Sequence, residues 1–165
     1  PMALSPDERY LYFQVSFFHG FVEYDLKADK VLAILPLPIS EKAQGLQREQ
    51  YLLDSAHHGL SMDDAGTTLC AAGTMDDYAA LVDRATGSYQ IFDTASTGHP
   101  YLKPYWTTKG LGDTCWVSLS GSDSVAVLDF RTHKELAFLP VGDHPQRVRH
   151  GEVPDAVVAS WTATS

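Results

Sequence analysis

The sequence predicts an all-β fold, consecutive four-stranded antiparallel blades of a β-propeller forming an incomplete ring, and three observations carry that prediction. A turn-and-strand phrase occurs three times, as Leu4-Ser5-Pro6-Asp7-Glu8-Arg9-Tyr10-Leu11-Tyr12-Phe13, then from Met62 to Ala71, then from Thr108 to Val117. A second anchor recurs further along each copy, where Phe21–Asp25, Ala79–Asp83 and Val125–Asp129 each end an apolar run on aspartate. Both anchors give the same steps: Ser5 to Asp63 and Asp25 to Asp83 are 58 positions, and Asp63 to Lys109 and Asp83 to Asp129 are 46. A unit of that length holds four short strands, which is the size of a propeller blade.

Each element follows from local chemistry. Lys27–Lys30, Arg84–Ser88 and Arg131–Lys134 are polar tight connections, so the last two strands of each unit are hairpins ending on 31–35, 89–93 and 135–139. The first copy is 12 residues longer than the second, and the stretch 40–50, polar, poor in β-branched residues and opening with Ser40 as a helix N-cap, accounts for most of the difference; an inserted loop or short helix is expected there. The units are then 1–56 with an insertion at about 36–56, 57–102, 103–143, and the start of a further copy at 144–165 with a strand expected at 156–161. At 165 residues the chain is shorter than most complete propellers.

A net charge of −9 argues against a nucleic-acid or anionic-membrane binder, because phosphate recognition needs a clustered positive field. The basic cluster Arg147, Arg149 and His150 is small, though large enough for one anion. No apolar stretch reaches the length of a membrane span. Cys70 and Cys115 lack zinc-site spacing and are expected as buried thiols, with an inter-blade disulfide as the alternative.

Ser5-Pro6-Asp7, His58-Gly59-Leu60, Ser122–Asp129 and Leu139-Pro140-Val141-Gly142 resemble the YVTN-type, lactonase-like (WD40-like) propeller repeat, over nearly the whole chain except 36–56. The turns Asp63–Gly66 and Lys109–Gly112 depart from the repeat, and Pro104-Tyr105 stands where it has His-Gly. The resemblance implies a ring of about seven blades. The rest of the ring, or another chain replacing it, is therefore the expected partner of two open flanks. The resemblance also implies an extracytoplasmic location.

The candidate chemistry centres on His58 and His150, which are 92 residues apart, twice the blade step, and so are expected to face one central funnel, with Asp63 as a further member. The competing reading is that both cap strand starts. His57 should point away from His58 along an extended segment. Arg147, Arg149, His150 and Glu152 share one approach segment, and the lactonase resemblance implies His, Glu and Arg in a central cleft, which makes His58, His150, Glu152 and Arg147 the catalytic candidates, with Glu23 beside them. Tyr105, Lys103 and Arg149 are the ligand-binding candidates, and Tyr101 lies on the same approach; Trp106 aligns with Leu60 and is expected in the inter-blade core. The pairs Asp63-Asp64 and Asp76-Asp77 have calcium ligation or paired acid/base carboxylates as one reading, but both sit in expected turns, where aspartate bonds its own backbone, and the turn reading is preferred; the once-per-blade Asp25, Asp83 and Asp129 are read as structural. No cofactor and no metal site is indicated. The first expectation is a binding module for a small-molecule or protein ligand on the central-channel face. A lactonase-like hydrolase and a redox-associated propeller are the alternatives.

Overall fold

The computed structural model describes residues 1–51 and 55–162; the expected insertion at 36–56 and the further copy at 144–165 each extend outside that range. Within it, twelve strands form three four-stranded antiparallel sheets. The first holds β1 (Met2–Leu4), β2 (Tyr10–Phe13), β3 (Gly20–Asp25) and β4 (Lys30–Pro36). The second holds β5 (Gly59–Met62), β6 (Thr68–Gly73), β7 (Tyr78–Asp83) and β8 (Tyr89–Asp93). The third holds β9 (Pro104–Gly110), β10 (Thr114–Leu119), β11 (Ser124–Asp129) and β12 (Lys134–Pro140). Neighbours in sequence are neighbours in each sheet, and β1 lies against β5 and β5 against β9, so each first strand is the innermost of its blade.

Why the sheets stack is visible in the middle blade. Every residue of β6 is buried, which requires a partner on both faces. Leu69, Ala71, Ala80 and Val82 pack with Tyr12 and Phe21 of the first blade. The alternate residues Cys70, Ala79 and Leu81 pack with Val117, Leu119, Ala126 and Leu128 of the third. The period-2 geometry of a strand thus sends one apolar set each way. Small residues at 71, 72, 79 and 80 let the sheets approach closely.

The recurring aspartates hold the outer hairpins. Asp25 Oδ1 accepts from the N–H groups of Lys27 and Ala28, each at 2.9 Å, and Asp129 Oδ1 accepts from Arg131 and Thr132, each at 2.8 Å. Asp83 Oδ1 accepts from the N–H and the hydroxyl of Thr86. Four residues after each aspartate the chain enters the left-handed region, at Asp29, Gly87 and His133. Glycine adopts that geometry at no steric cost, and aspartate and histidine are among the other residues that enter it most readily.

Three local expectations change. Cys70 and Cys115 are not free thiols: they form a disulfide joining β6 to β10, with Cα atoms 6.4 Å apart. The expected strand at 156–161 is instead helical, as α3 (Asp155–Thr162). Without a neighbouring ladder a strand leaves its backbone groups unpaired, whereas a helix satisfies them within the segment, here beginning with the N–H groups of Val157 and Val158 on Pro154 O. Trp106 is half-buried and is not part of either apolar core. The insertion does contain a short helix, α1 (Glu41–Gln44), with Ser40 as its N-cap accepting from Ala43 N, followed by a 3-10 turn at Arg48–Tyr51. A further helical turn, α2 (Thr94–Thr97), follows β8.

Candidate functional site

Two polar clusters stand out, both where the chain enters a blade. The first is buried between blades one and two. His19 immediately precedes β3, and its place is fixed by Gly20, where a Cβ would lie 2.1 Å from Leu35 O and φ is 142°. His57 lies on the approach to β5, and Asp76 lies in the tight turn joining β6 to β7. The starts of β3, β5 and β7 are at the same end of the sheets, so these three side chains converge. His19 Nδ1 lies 2.6 Å and His57 Nε2 3.2 Å from the same Asp76 oxygen, Oδ2, while Oδ1 accepts from Ser40 N at 2.8 Å. Tyr51 lies 3.2 Å from His19 Nε2, and the Tyr78 hydroxyl donates to Pro38 O while its oxygen faces His57 Nε2.

The electrostatics follow from burial and partners. Burial opposes charge on Asp76, but the hydrogen bonds from His19, His57 and Ser40 outweigh it and hold the carboxyl below its ordinary range. Burial pulls His57 below its ordinary value, against the attraction of Asp76. Burial also pushes the Tyr78 phenol up. A neutral His57, an ionised Asp76 and ring nitrogens aimed at one oxygen make a donor set that can hold a proton or a cation. His57 Nδ1 is buried with no hydrogen-bond partner among the described residues.

The second cluster lies around Trp106, at the starts of β5 and β9. The His58 ring packs on Tyr105 with centroids 4.4 Å apart, and its Nδ1 lies 3.3 Å from Tyr105 O. His58 is also 6.0 Å from the Trp106 ring. The segment after the third blade runs back along β9 and β10, with Ser120 and Ser118 donating to Pro145 O and Gln146 O. This places the Arg147 and Arg149 guanidinium groups 5.2 and 5.7 Å from the Trp106 ring centre. Burial lowers the His58 pKa, and the Arg147 charge adds to that.

The structure therefore brings His58, Tyr105, Arg147 and Arg149 together and leaves the other candidates elsewhere. His150 Nδ1 contacts Lys109 O, four residues further along β9 than the carbonyl His58 uses, or about 13 Å at strand rise. The blade-step alignment would have put His150 beside the start of β9, where Pro145 and Gln146 run instead. Glu152 is exposed. Lys103 donates its N–H to Asp77 Oδ1 from a left-handed conformation. Asp63 closes its turn by accepting from Thr67 N and Thr68 N. Glu23 accepts from Tyr12 and pairs with Arg84 across the first blade interface. Tyr101 is fully buried and donates to Glu135, which also holds His99.

Sequence reasoning separated His57 from His58 correctly, since the two rings lie in different clusters, but it missed that His57 meets His19 and Asp76. Asp76 resembled any turn aspartate. The usable signal was topological: turns between second and third strands and approaches to first strands lie at the same end of a blade.

No family model matches the chain, and no curated protein matches its sequence. Solved structures do match its fold. Hydrazine synthase from Kuenenia stuttgartiensis is similar at 15% identity with a TM-score of 0.67, over 87% of this chain and 36% of that one. Periplasmic gluconolactonase from Pseudomonas aeruginosa is 18% identical with a TM-score of 0.66, over 93% and 42%. Virginiamycin B lyase from Staphylococcus aureus is 14% identical with a TM-score of 0.61, over 85% and 40%. The chain thus spans well under half of each of these proteins, and what it shares with them is the β-propeller fold.

Proposed function

We propose that this chain is part of a β-propeller that binds an anionic ligand on its central-channel face, with Arg147 and Arg149 as the charge contacts and Trp106, Tyr105 and His58 as the packing surface. The observation that carries the reading is the pair of guanidinium groups beside Trp106. Neither forms an ion pair with a carboxylate among the described residues, in a chain whose net charge is −9. Stacked, weakly hydrated guanidinium groups present a planar fork that suits a carboxylate. The remaining blades of the ring complete the site and cover the open flanks. The Cys70–Cys115 disulfide supports an oxidising, extracytoplasmic compartment.

The lactone-hydrolase alternative has less support. It needs a carboxylate beside the imidazole, and neither Glu152 nor Glu23 is bonded to His58. The redox alternative rests on similarity of fold alone.

The test is calorimetric titration of the protein with acetate, benzoate and gluconate, compared with an Arg147→Ala/Arg149→Ala variant. Binding of at least one carboxylate is expected. It should fall by about 10-fold or more in the variant and weaken as salt is raised, since hydrogen bonds to charged groups contribute about 1.5–3 kcal/mol. Absence of binding to all three, or equal binding by the variant, overturns the proposal. Turnover of a lactone panel that is lost in His58→Ala favours the hydrolase instead.

A further inference from the structure

We propose that His19, His57 and Asp76 form a binding site for a zinc-type divalent cation, seated between the first two blades. Nothing in this inference depends on the anion site around Trp106. The observation is convergence: one ligand atom from each residue lies within 4.8 Å of the others, and all three side chains are buried. Two imidazoles and one carboxylate are the donor types that suit zinc and its borderline neighbours.

The spacings can admit the ion. Ligand atoms at zinc distances, about 2.0–2.2 Å from a tetrahedral centre, are roughly 3.3–3.5 Å apart. His57 Nε2 and Asp76 Oδ2 are already 3.2 Å apart, and His19 Nδ1 must withdraw by less than 1 Å from its 2.6 Å contact. The two ring nitrogens, within 4.8 Å of each other, must also draw together by up to about 1.5 Å, so both rings turn toward the ion.

The surroundings supply the outer contacts that metal ligands carry. With the cation on His19 Nδ1, Nε2 holds the ring proton and donates to Tyr51, 3.2 Å away, whose own hydroxyl reaches Ala43 O at 3.5 Å. With the cation on Asp76 Oδ2, Oδ1 stays held by the Ser40 N–H. Both Tyr51 and Ser40 belong to the segment that distinguishes the first repeat from the others. Ser40 and Tyr51 therefore orient two of the three ligands. With the cation on His57 Nε2 the ring proton sits on Nδ1, which is buried and unpartnered among the described residues, so His57 is the one ligand held by packing and not by an outer hydrogen bond.

The experiment uses the full chain, tag removed, stripped with a chelator and titrated with zinc chloride by calorimetry, with bound metal counted by mass spectrometry. One zinc per chain is expected, with a rise in Tm that grows with zinc concentration. Tyr51→Phe keeps all three ligands and should weaken zinc by about 10–100-fold, which a purely structural hydroxyl would not do. A His19→Gln/Asp76→Asn variant should lose stoichiometric binding, whereas His99→Gln should keep it. Long-range proton–nitrogen spectra should show the Nε2 resonance of His57 moving on zinc addition.

Two results overturn the proposal. One is a stripped, natively folded chain that takes up no zinc. The other is uptake unaffected by both Tyr51→Phe and His19→Gln/Asp76→Asn, which would place the ion elsewhere. In either case the cluster is a hydrogen-bonded strut between blades only. Should the double variant fail to fold, the unmodified chain and Tyr51→Phe decide the matter.

Discussion

Cys70 and Cys115 tie the second strand of the middle blade to the second strand of the third, closing a loop of 45 residues. In the chain-entropy model a loop of that size is worth about 4 kcal/mol. A Cys70→Ala/Cys115→Ala variant, or the reduced protein, should lose stability up to that amount in urea unfolding. Unchanged midpoints with and without reductant would show that the blades do not rely on this tie.

Packing between inner strands sets a second expectation. Gly59 opens β5 against β9, and a Cβ there would lie 2.6 Å from Thr107 N and 2.9 Å from the Cβ of Ala72. Two of the three nearest atoms belong to the backbone of the next blade, so the clash cannot be relieved by turning a side chain. Gly59→Ala should cost about 1–3 kcal/mol, or more, in thermal or chemical unfolding.

Tyr101 links the second and third blades through a hydrogen bond to Glu135 at 2.6 Å. Its phenol is pushed up first by burial and then by Glu135 itself, so it remains a donor. Tyr101→Phe keeps the ring and removes the donor. A loss of about 1.5–3 kcal/mol is expected for a bond to a charged acceptor. Equilibrium unfolding of the two proteins checks it.

Acid should weaken the hairpins. Backbone N–H groups, that of Thr132 foremost at Asp129 and that of Ala28 at Asp25, hold these carboxyls below their ordinary value of 3.8, and at Asp83 the Thr86 hydroxyl does so. A folded-state value below the unfolded one means that the unfolded chain binds more protons, so stability is full above that ordinary value and declines as pH falls through the lowered one. Stability measured from pH 5 to pH 2 should fall, less steeply in Asp129→Asn, which keeps an acceptor but does not titrate. Carbon NMR titration of Asp25, Asp83 and Asp129 should give midpoints below the usual value.

The middle blade shows why so much of the fold was legible. The pattern Leu69-Cys70-Ala71-Ala72 is apolar on both faces of the strand, and only a sheet covered on both sides can bury it. The aspartates ending β3, β7 and β11 each hold N–H groups within three residues of themselves, so that role could be read locally; the further pairing of Asp25 with Arg9, 16 residues away, could not. Residues 156–161 misled, because a short apolar run fits strand and helix alike and its state depends on whether a neighbouring strand is present.

Sequence by itself determined the repeat: which residues turn, which strands alternate, and that three sheets follow one another. These depend on contacts a few residues apart. Tertiary structure alone decided that Cys70 meets Cys115, that Arg147 and Arg149 flank Trp106, and that His19 and His57 share Asp76. Each of those meetings depends on how far one blade is rotated and shifted against the next, a quantity set by packing across whole sheets and written in no single segment.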